Sequence, residues 1–294
     1  EVPSIYSKAG LDKVLLEHLG YDSSKYPLNI KAWEGLTNKI NNLEKEVTIG
    51  VVGKYTNLKD SYKSLIEALN HGGIENNALV KIHWINAEKI KTTELMKELK
   101  IVDGILIPGG FGYRGVEGKI LAIKFARENN IPFFGICLGM QLSVIEISRN
   151  VLGIEDTNST EFQSSTNPVV SLMTEWNNEN KIEKRDQTSD KGGTMRLGAY
   201  KAILKKGSKV SEIYNTNEIS ERHRHRYEVD LSLTKDFENK GFVFSGMSPD
   251  NVLPEVLESV NHKWFIGVQF HPELKSRPLS PHPLFSSFIK HCIK

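Results

Sequence analysis

Gly135-Ile136-Cys137-Leu138-Gly139-Met140-Gln141 is the stretch whose reading decides the fold. Ahead of it runs an apolar, β-favouring segment, Ile131-Pro132-Phe133-Phe134-Gly135-Ile136. Directly after it Met140, Val144, Ile145 and Ile147 fall at helical spacing. Cys137 therefore sits on a strand-to-helix corner. Glycines two residues before and two after it relieve the crowding of so sharp a turn, the arrangement of a nucleophile elbow. A thiol placed there also lies at a helix N-terminus, where the dipole and unbonded N–H groups favour a thiolate. A lone cysteine in an apolar strand is more often a small core hydrophobe, so the reading turns on what else the chain supplies.

Two other segments supply it. Trp264-Phe265-Ile266-Gly267-Val268 is a second apolar strand, and it runs into Gln269-Phe270-His271-Pro272-Glu273. A histidine at such a strand end can serve as base, and Glu273, two residues on along an extended chain, points to the same side and can fix its tautomer. A buried His capped by a carboxylate is common in cores; paired with a corner cysteine it reads as catalytic. The strand Ile105-Leu106-Ile107 ends in Pro108-Gly109-Gly110-Phe111-Gly112, whose bare backbone can turn an N–H toward a developing oxyanion.

From Val47 onward apolar strands alternate with amphipathic helices: strands over 47–52, 79–85, 102–107 and 133–136, helices over 60–71 and about 93–99. That alternation predicts an α/β fold, a mostly parallel central sheet flanked by helices. Active groups of such sheets gather at strand C-terminal ends, where Gly110, Cys137 and His271 all fall. The order of the three pieces, strand-Gly-Gly, Gly-x-Cys-x-Gly-x-Gln and Phe-His-Pro-Glu, resembles that of the class I (triad) glutamine amidotransferases, whose sheet is flavodoxin-like. Longer strings, 108–118 (PGGFGYRGVEG), 158–162 (NSTEF), 192–198 (GGTMRLG) and 221–229 (ERHRHRYEV), resemble one branch of that family, the glutaminase half of the ligase that aminates UTP to CTP.

The resemblance implies a set of roles. Cys137, His271 and Glu273 would be the triad, and the N–H groups of Gly110 and Leu138 the oxyanion hole. L-Glutamine would be bound by Gly110, Leu138, Gly139, Met140, Gln141, Glu161 and Arg226. Glu161, by composition a surface carboxylate, would take the α-ammonium. Arg226 would take the α-carboxylate with a two-point fork, with Arg224 its competitor inside Arg222-His223-Arg224-His225-Arg226; by residue pattern alone that alternating basic strand is a solvated face. The glycine-punctuated segment Tyr113 to Gly118 reads as a surface loop, placed to act as a lid facing the ammonia route. ATP and Mg²⁺, with GTP as activator, are implied for a full-length, homotetrameric, cytoplasmic enzyme and not for this chain.

Totals narrow the classes. With 294 residues, 39% hydrophobic and 25% charged, the chain has ample material for a core. A net charge of +2 gives no bulk attraction to nucleic acid or membrane, and no apolar run approaches the roughly 18 residues that span a bilayer. Two cysteines, Cys137 and Cys292, do not make a disulfide scaffold and suit a reducing compartment; Cys292, in a helical tail, reads as inert. His223 and His225 lack a Cys or His partner at zinc-ligand spacing, so no metal site is expected.

Residues 1–46 read apart from the rest, with Leu11, Val14, Leu15 and Leu19 at helical spacing, Gly20 as a stop, and a polar linker after Pro27. The resemblance makes them the tail of a synthetase (amidoligase) domain and its linker, with the glutaminase domain over 47–294. No Gly-x-x-x-x-Gly-Lys-Ser/Thr loop occurs, and the start at Glu1-Val2-Pro3 suggests a piece of a longer chain. Two other readings compete: a different triad enzyme, such as a GMP synthetase, a stand-alone glutaminase or a γ-glutamyl hydrolase, and a catalytically silent docking module. The HRHRYEV and GYRGVEG strings count against the first, the intact Cys-His-Glu set against the second.

Overall fold

Runs such as Ile105-Leu106-Ile107 and Phe133-Phe134 are apolar on both faces, and in the computed structural model both faces are covered. The structure describes residues 1–54, 59–88, 92–162, 165–172, 175–178, 181–184 and 195–294. Three helices, α1 (Val2–Lys8), α2 (Leu11–His18) and α3 (Lys31–Asn41), precede the sheet. Next come β1 (Lys45–Gly53), α4 (Lys63–Glu75), β2 (Ala78–Asn86), α5 (Thr92–Lys100), β3 (Gly104–Ile107), α6 (Val116–Glu128), β4 (Phe133–Ile136) and α7 (Leu138–Asn150). The remainder is richer in strands: β5 (Thr157–Ser159), β6 (Asn167–Leu172), β7 (Glu175–Asn178), β8 (Lys181–Lys184) and β9 (Arg196–Leu204), then α8 (Lys209–Tyr214). After it follow β10 (Glu218–His225), β11 (Tyr227–Val229), α9 (Thr234–Asn239), β12 (Phe242–Met247), β13 (Pro254–Ser259), β14 (Phe265–Val268) and α10 (Pro283–Cys292).

The nine-stranded sheet has the order β10-β9-β12-β13-β14-β4-β3-β1-β2. From β2 to β14 its pairs are parallel, and from β14 to β10 antiparallel. The α/β architecture expected from the sequence is thus present, and the antiparallel wing is what it adds. Adjacent residues serve opposite layers. Phe133 belongs to the core cluster that also holds Leu95 of α5, Ile123 of α6 and Ile147 of α7. Phe134 packs on Phe285 and Phe288 of α10, in the cluster that also holds Leu69 of α4.

Several expected boundaries move. The segment read as a linker after Pro27 contains α3, whose Trp33, Leu36 and Ile40 line a groove against Ile74 and Val80. Only Tyr113 to Gly115 is a turn; residues 116–118 are already the first turn of α6, and a Cβ on Gly118 would stand 2.4 Å from the Ala87 carbonyl oxygen. Residues 177–191, charged and poor in apolar side chains, read from the sequence as an exposed excursion; they fall mostly outside the described residues, the described backbone belonging to the paired strands β7 and β8. Gly192, Gly193 and Thr194 of the 192–198 string also lie outside them. Among the described residues no helix is long and apolar enough to cross a membrane.

Candidate active site

The corner at Cys137 is built from backbone contacts that exclude side chains. A Cβ on Gly139 would lie 2.4 Å from the Ile107 carbonyl oxygen, and one on Gly135 2.7 Å from the carbonyl carbon of Gly139. With both bare, α7 starts hard against β3 and β4. Cys137 pays for the tightness with φ 51° and ψ −101°, a conformation costly for a residue with a Cβ and held by the surrounding packing. Its N–H donates to the Val268 carbonyl at 2.7 Å, so the corner is pinned to β14, the strand that delivers the histidine.

β4 and β14 are neighbours in parallel register, Ile136 opposite Val268. Their C-terminal ends therefore emerge side by side, bringing Cys137 and His271 together across a wide gap in sequence. His271 Nδ1 and Glu273 Oε1 are 2.7 Å apart. Nε2 is buried and has no nitrogen or oxygen partner. Burial opposes a charged imidazole, but the adjacent Cys137 sulfur, and after it Glu273, outweigh that and push His271 up to about 11. Held charged beside the sulfur, the ring is placed to give a proton to a leaving group.

Cys137, His271, Glu273, Gly110 and Arg224 line one cavity of about 500 Å³. Two lysines absent from the sequence reading, Lys54 and Lys119, line it too. Lys119 is only 2% exposed, and burial, then the nearby Lys54, draw its ammonium down to about 8. Its place in the first turn of a helix gave no sign of this, since a lysine there normally faces water. Gly109, one residue before the expected Gly110, abuts the triad: a Cβ there would stand 2.6 Å from His271 Cε1 and 3.5 Å from Cys137 Cβ. Gln269 was also unassigned. Its Nε2 points at Cys137 Sγ, 3.7 Å away, and its Oε1 accepts from Gln141 Nε2 at 3.1 Å.

The other expected binding residues are placed as follows. Glu161 comes to the glycine turn from the segment after β5, and its Oε1 accepts the Gly112 N–H at 2.8 Å. Burial raises its carboxyl, against the pull of that N–H and of Lys54, Arg226 and Lys119. Arg226 thus acts on Glu161 by charge, whereas Arg224 is the arginine on the cavity wall. Leu138 is buried beside Gly110. The Met140 and Gln141 N–H groups donate to the Cys137 carbonyl. Met140's side chain is fully buried, and Gln141's reaches the Tyr227 carbonyl at 2.9 Å, so neither side chain enters the cavity.

Behind His271, the inward face of β10 carries Glu221, His223 and His225, while Arg222 and Arg224 face out. The alternation was legible; that its histidine face is buried was not. His223 and His225 are 2.9 Å apart and sit among Glu228, Glu255 and Arg196, whose Nη1 lies 2.7 Å from Glu255 Oε1. Burial, then Arg196, hold both histidines well below their ordinary range, and burial raises both carboxyls. Among the described residues no three His, Cys, Asp or Glu side chains form a metal-binding group.

Comparison with known proteins shows the family to which the chain belongs. Residues 57–291 match the family described as glutamine amidotransferase class-I. A CTP synthase of Brucella anthropi is 56% identical over the whole chain, and one of Rhizobium etli is 57% identical over 99% of it. The chain spans about half the length of these relatives, 54% and 53%. The solved glutaminase domain of Trypanosoma brucei CTPS, with bound acivicin, is 39% identical, with a TM-score of 0.75 over 84% of this chain and 93% of that one.

Proposed function

The chain belongs to the class I glutamine amidotransferases, and we propose that it is the glutaminase half of a CTP synthase, with Cys137 as nucleophile, His271 as base and Glu273 as its orienter. One observation carries the reading: an imidazole hydrogen-bonded to a carboxylate at 2.7 Å stands beside a thiol on a strained strand-to-helix corner, all three on one cavity.

The Cys137 thiolate attacks the side-chain carboxamide carbon of L-glutamine, forming the C–S bond as the carbonyl π pair moves to oxygen. The N–H groups of Gly110 and Leu138 receive that oxyanion; Leu138 opens α7, where N–H groups have no partner inside the helix. The His271 imidazolium gives its proton to the departing nitrogen, the C–N bond breaks and ammonia leaves. Water then adds to the thioester, passing a proton to His271, and the C–S bond breaks to return thiolate and glutamate. Glu161 takes the α-ammonium and an arginine of β10 or its C-terminal edge the α-carboxylate. Arg224, on the cavity wall, competes with Arg226 for that role.

In the whole protein the ammonia would aminate UTP at C4 after phosphorylation by ATP with Mg²⁺, under GTP activation, in a cytoplasmic homotetramer. Those sites belong to the half that precedes residue 47, of which 1–46 would be the tail and linker. The test is glutamate release from L-glutamine by this chain beside its Cys137→Ala variant. Release that depends on Cys137 is the expected result; release that survives Cys137→Ala refutes the assignment.

A further inference from the structure

The Phe111–Gly112 peptide is held from both ends by opposite charges. Lys54 Nζ donates to the Phe111 carbonyl, and Glu161 Oε1 accepts the Gly112 N–H of the same peptide unit. A planar peptide turns as a unit, so a cation at its oxygen and an anion at its hydrogen select one orientation against the reverse. The unit is otherwise easy to turn. Gly112 has φ +80°, open to a residue with no Cβ, and the nearest atom to a Cβ built there would be Lys54 Nζ at 3.9 Å. Gly110, one residue upstream of Phe111, has only Leu138 Cδ2 within 4 Å of where its Cβ would be, at 3.6 Å. Side-chain packing around these glycines is thus sparse, and the charges supply the restraint. Lys54 is well placed to do so: it directly follows β1, which pairs with β3, the strand that feeds the turn.

We propose that Lys54 is a positioning residue of this site, fixing with Glu161 the glycine turn that carries the Gly110 N–H, and that the ammonium of bound glutamine takes Glu161 from the Gly112 N–H and so couples occupancy to the shape of the turn. The coupling rests on the reading of Glu161 given above. A charged donor competes well with a neutral N–H for one carboxylate. Lys54 keeps its hold on the Phe111 carbonyl during the exchange, so the turn is re-aimed and not released.

The test uses this chain with Lys54→Met, which is one atom shorter and removes the charge, and Lys54→Arg, which restores it. For L-glutamine, Lys54→Met is expected to lower kcat on the order of 10- to 100-fold, below the loss from deleting an oxyanion donor outright, with KM changed less than about threefold. Alkylation of Cys137 by iodoacetamide needs no oxyanion hole, and its rate should stay within about twofold. Lys54→Arg should recover most of kcat. An unchanged kcat in Lys54→Met, or an alkylation rate that falls in step with kcat, overturns the positioning role.

Glu161→Gln separates the premise from the proposal. It should raise KM for glutamine but not for glutaramate, which lacks the α-amino group. If KM for glutamine does not move, the reading of Glu161 fails and the coupling with it, while the kcat result for Lys54 still decides the positioning role.

Discussion

Lys119→Met removes a cation that the fold carries at a cost. The ammonium is 2% exposed and is drawn from 10.5 to about 8. At 1.36 kcal/mol per unit, that displacement makes the buried charge on the order of 3 kcal/mol less favourable than in the unfolded chain. The sign follows from proton binding. Between pH 8 and 10.5 the unfolded chain holds more protons at this residue than the folded one, so the cost is complete below pH 8 and fades as pH rises toward 10.5. Urea unfolding of both proteins should therefore show Lys119→Met more stable by about 3 kcal/mol at pH 7, and by less than about 1 kcal/mol at pH 10. A gain independent of pH, or a loss at pH 7, would refute the reasoning. A stability gain accompanied by weaker glutamine hydrolysis would place Lys119 among residues that trade stability for function.

Other expectations test separate parts of the site. Gly109→Ala sets a Cβ 2.6 Å from His271 Cε1, so the ring must shift, and glutamine hydrolysis should fall by about 100-fold or more while thermal unfolding changes little. Glu273→Gln, leaving the imidazole in place, should be milder in kcat than His271→Ala; the reverse ranking would contradict an orienting role. In Cys137→Ala the leading influence that raises His271 is gone, and NMR titration should find the imidazole well below about 11. Arg196→Met strands the carboxylates of Glu228 and Glu255 in the interior and should cost on the order of 3–5 kcal/mol in urea unfolding, without the charge compensation a surface ion pair could find in water.

What the sequence made legible was whatever writes itself into local pattern. Glycines flanking Cys137 announced a corner because the backbone contacts there leave no room for a Cβ; His271 and Glu273 do pair, but across a 3₁₀ turn over Pro272–Leu274 and not along the extended chain expected. The parallel half of the sheet showed as runs apolar on both faces. Its antiparallel wing did not, because strands such as β10 alternate charged residues and conceal that Glu221, His223 and His225 face inward, the first two onto His282 and Glu255 far away in sequence. Lys54 and Lys119 were illegible for a related reason: nothing near them in the chain distinguishes a lysine over a cavity from one in water. The contact between Gly109 and His271 joins segments that meet only when β3, β4 and β14 are paired.

That pairing has a consequence for how the protein wears out. The separation of thiol and imidazole is one step between neighbouring strands deep in the sheet, whereas the glycine turn is held at the sheet's rim by two side chains, Lys54 and Glu161. Warming or mild denaturant should therefore loosen the grip on substrate first. The result is an intermediate regime in which the chain no longer discriminates among amides yet still presents a reactive sulfur, and during ageing or storage it is open to stray electrophiles before it has unfolded.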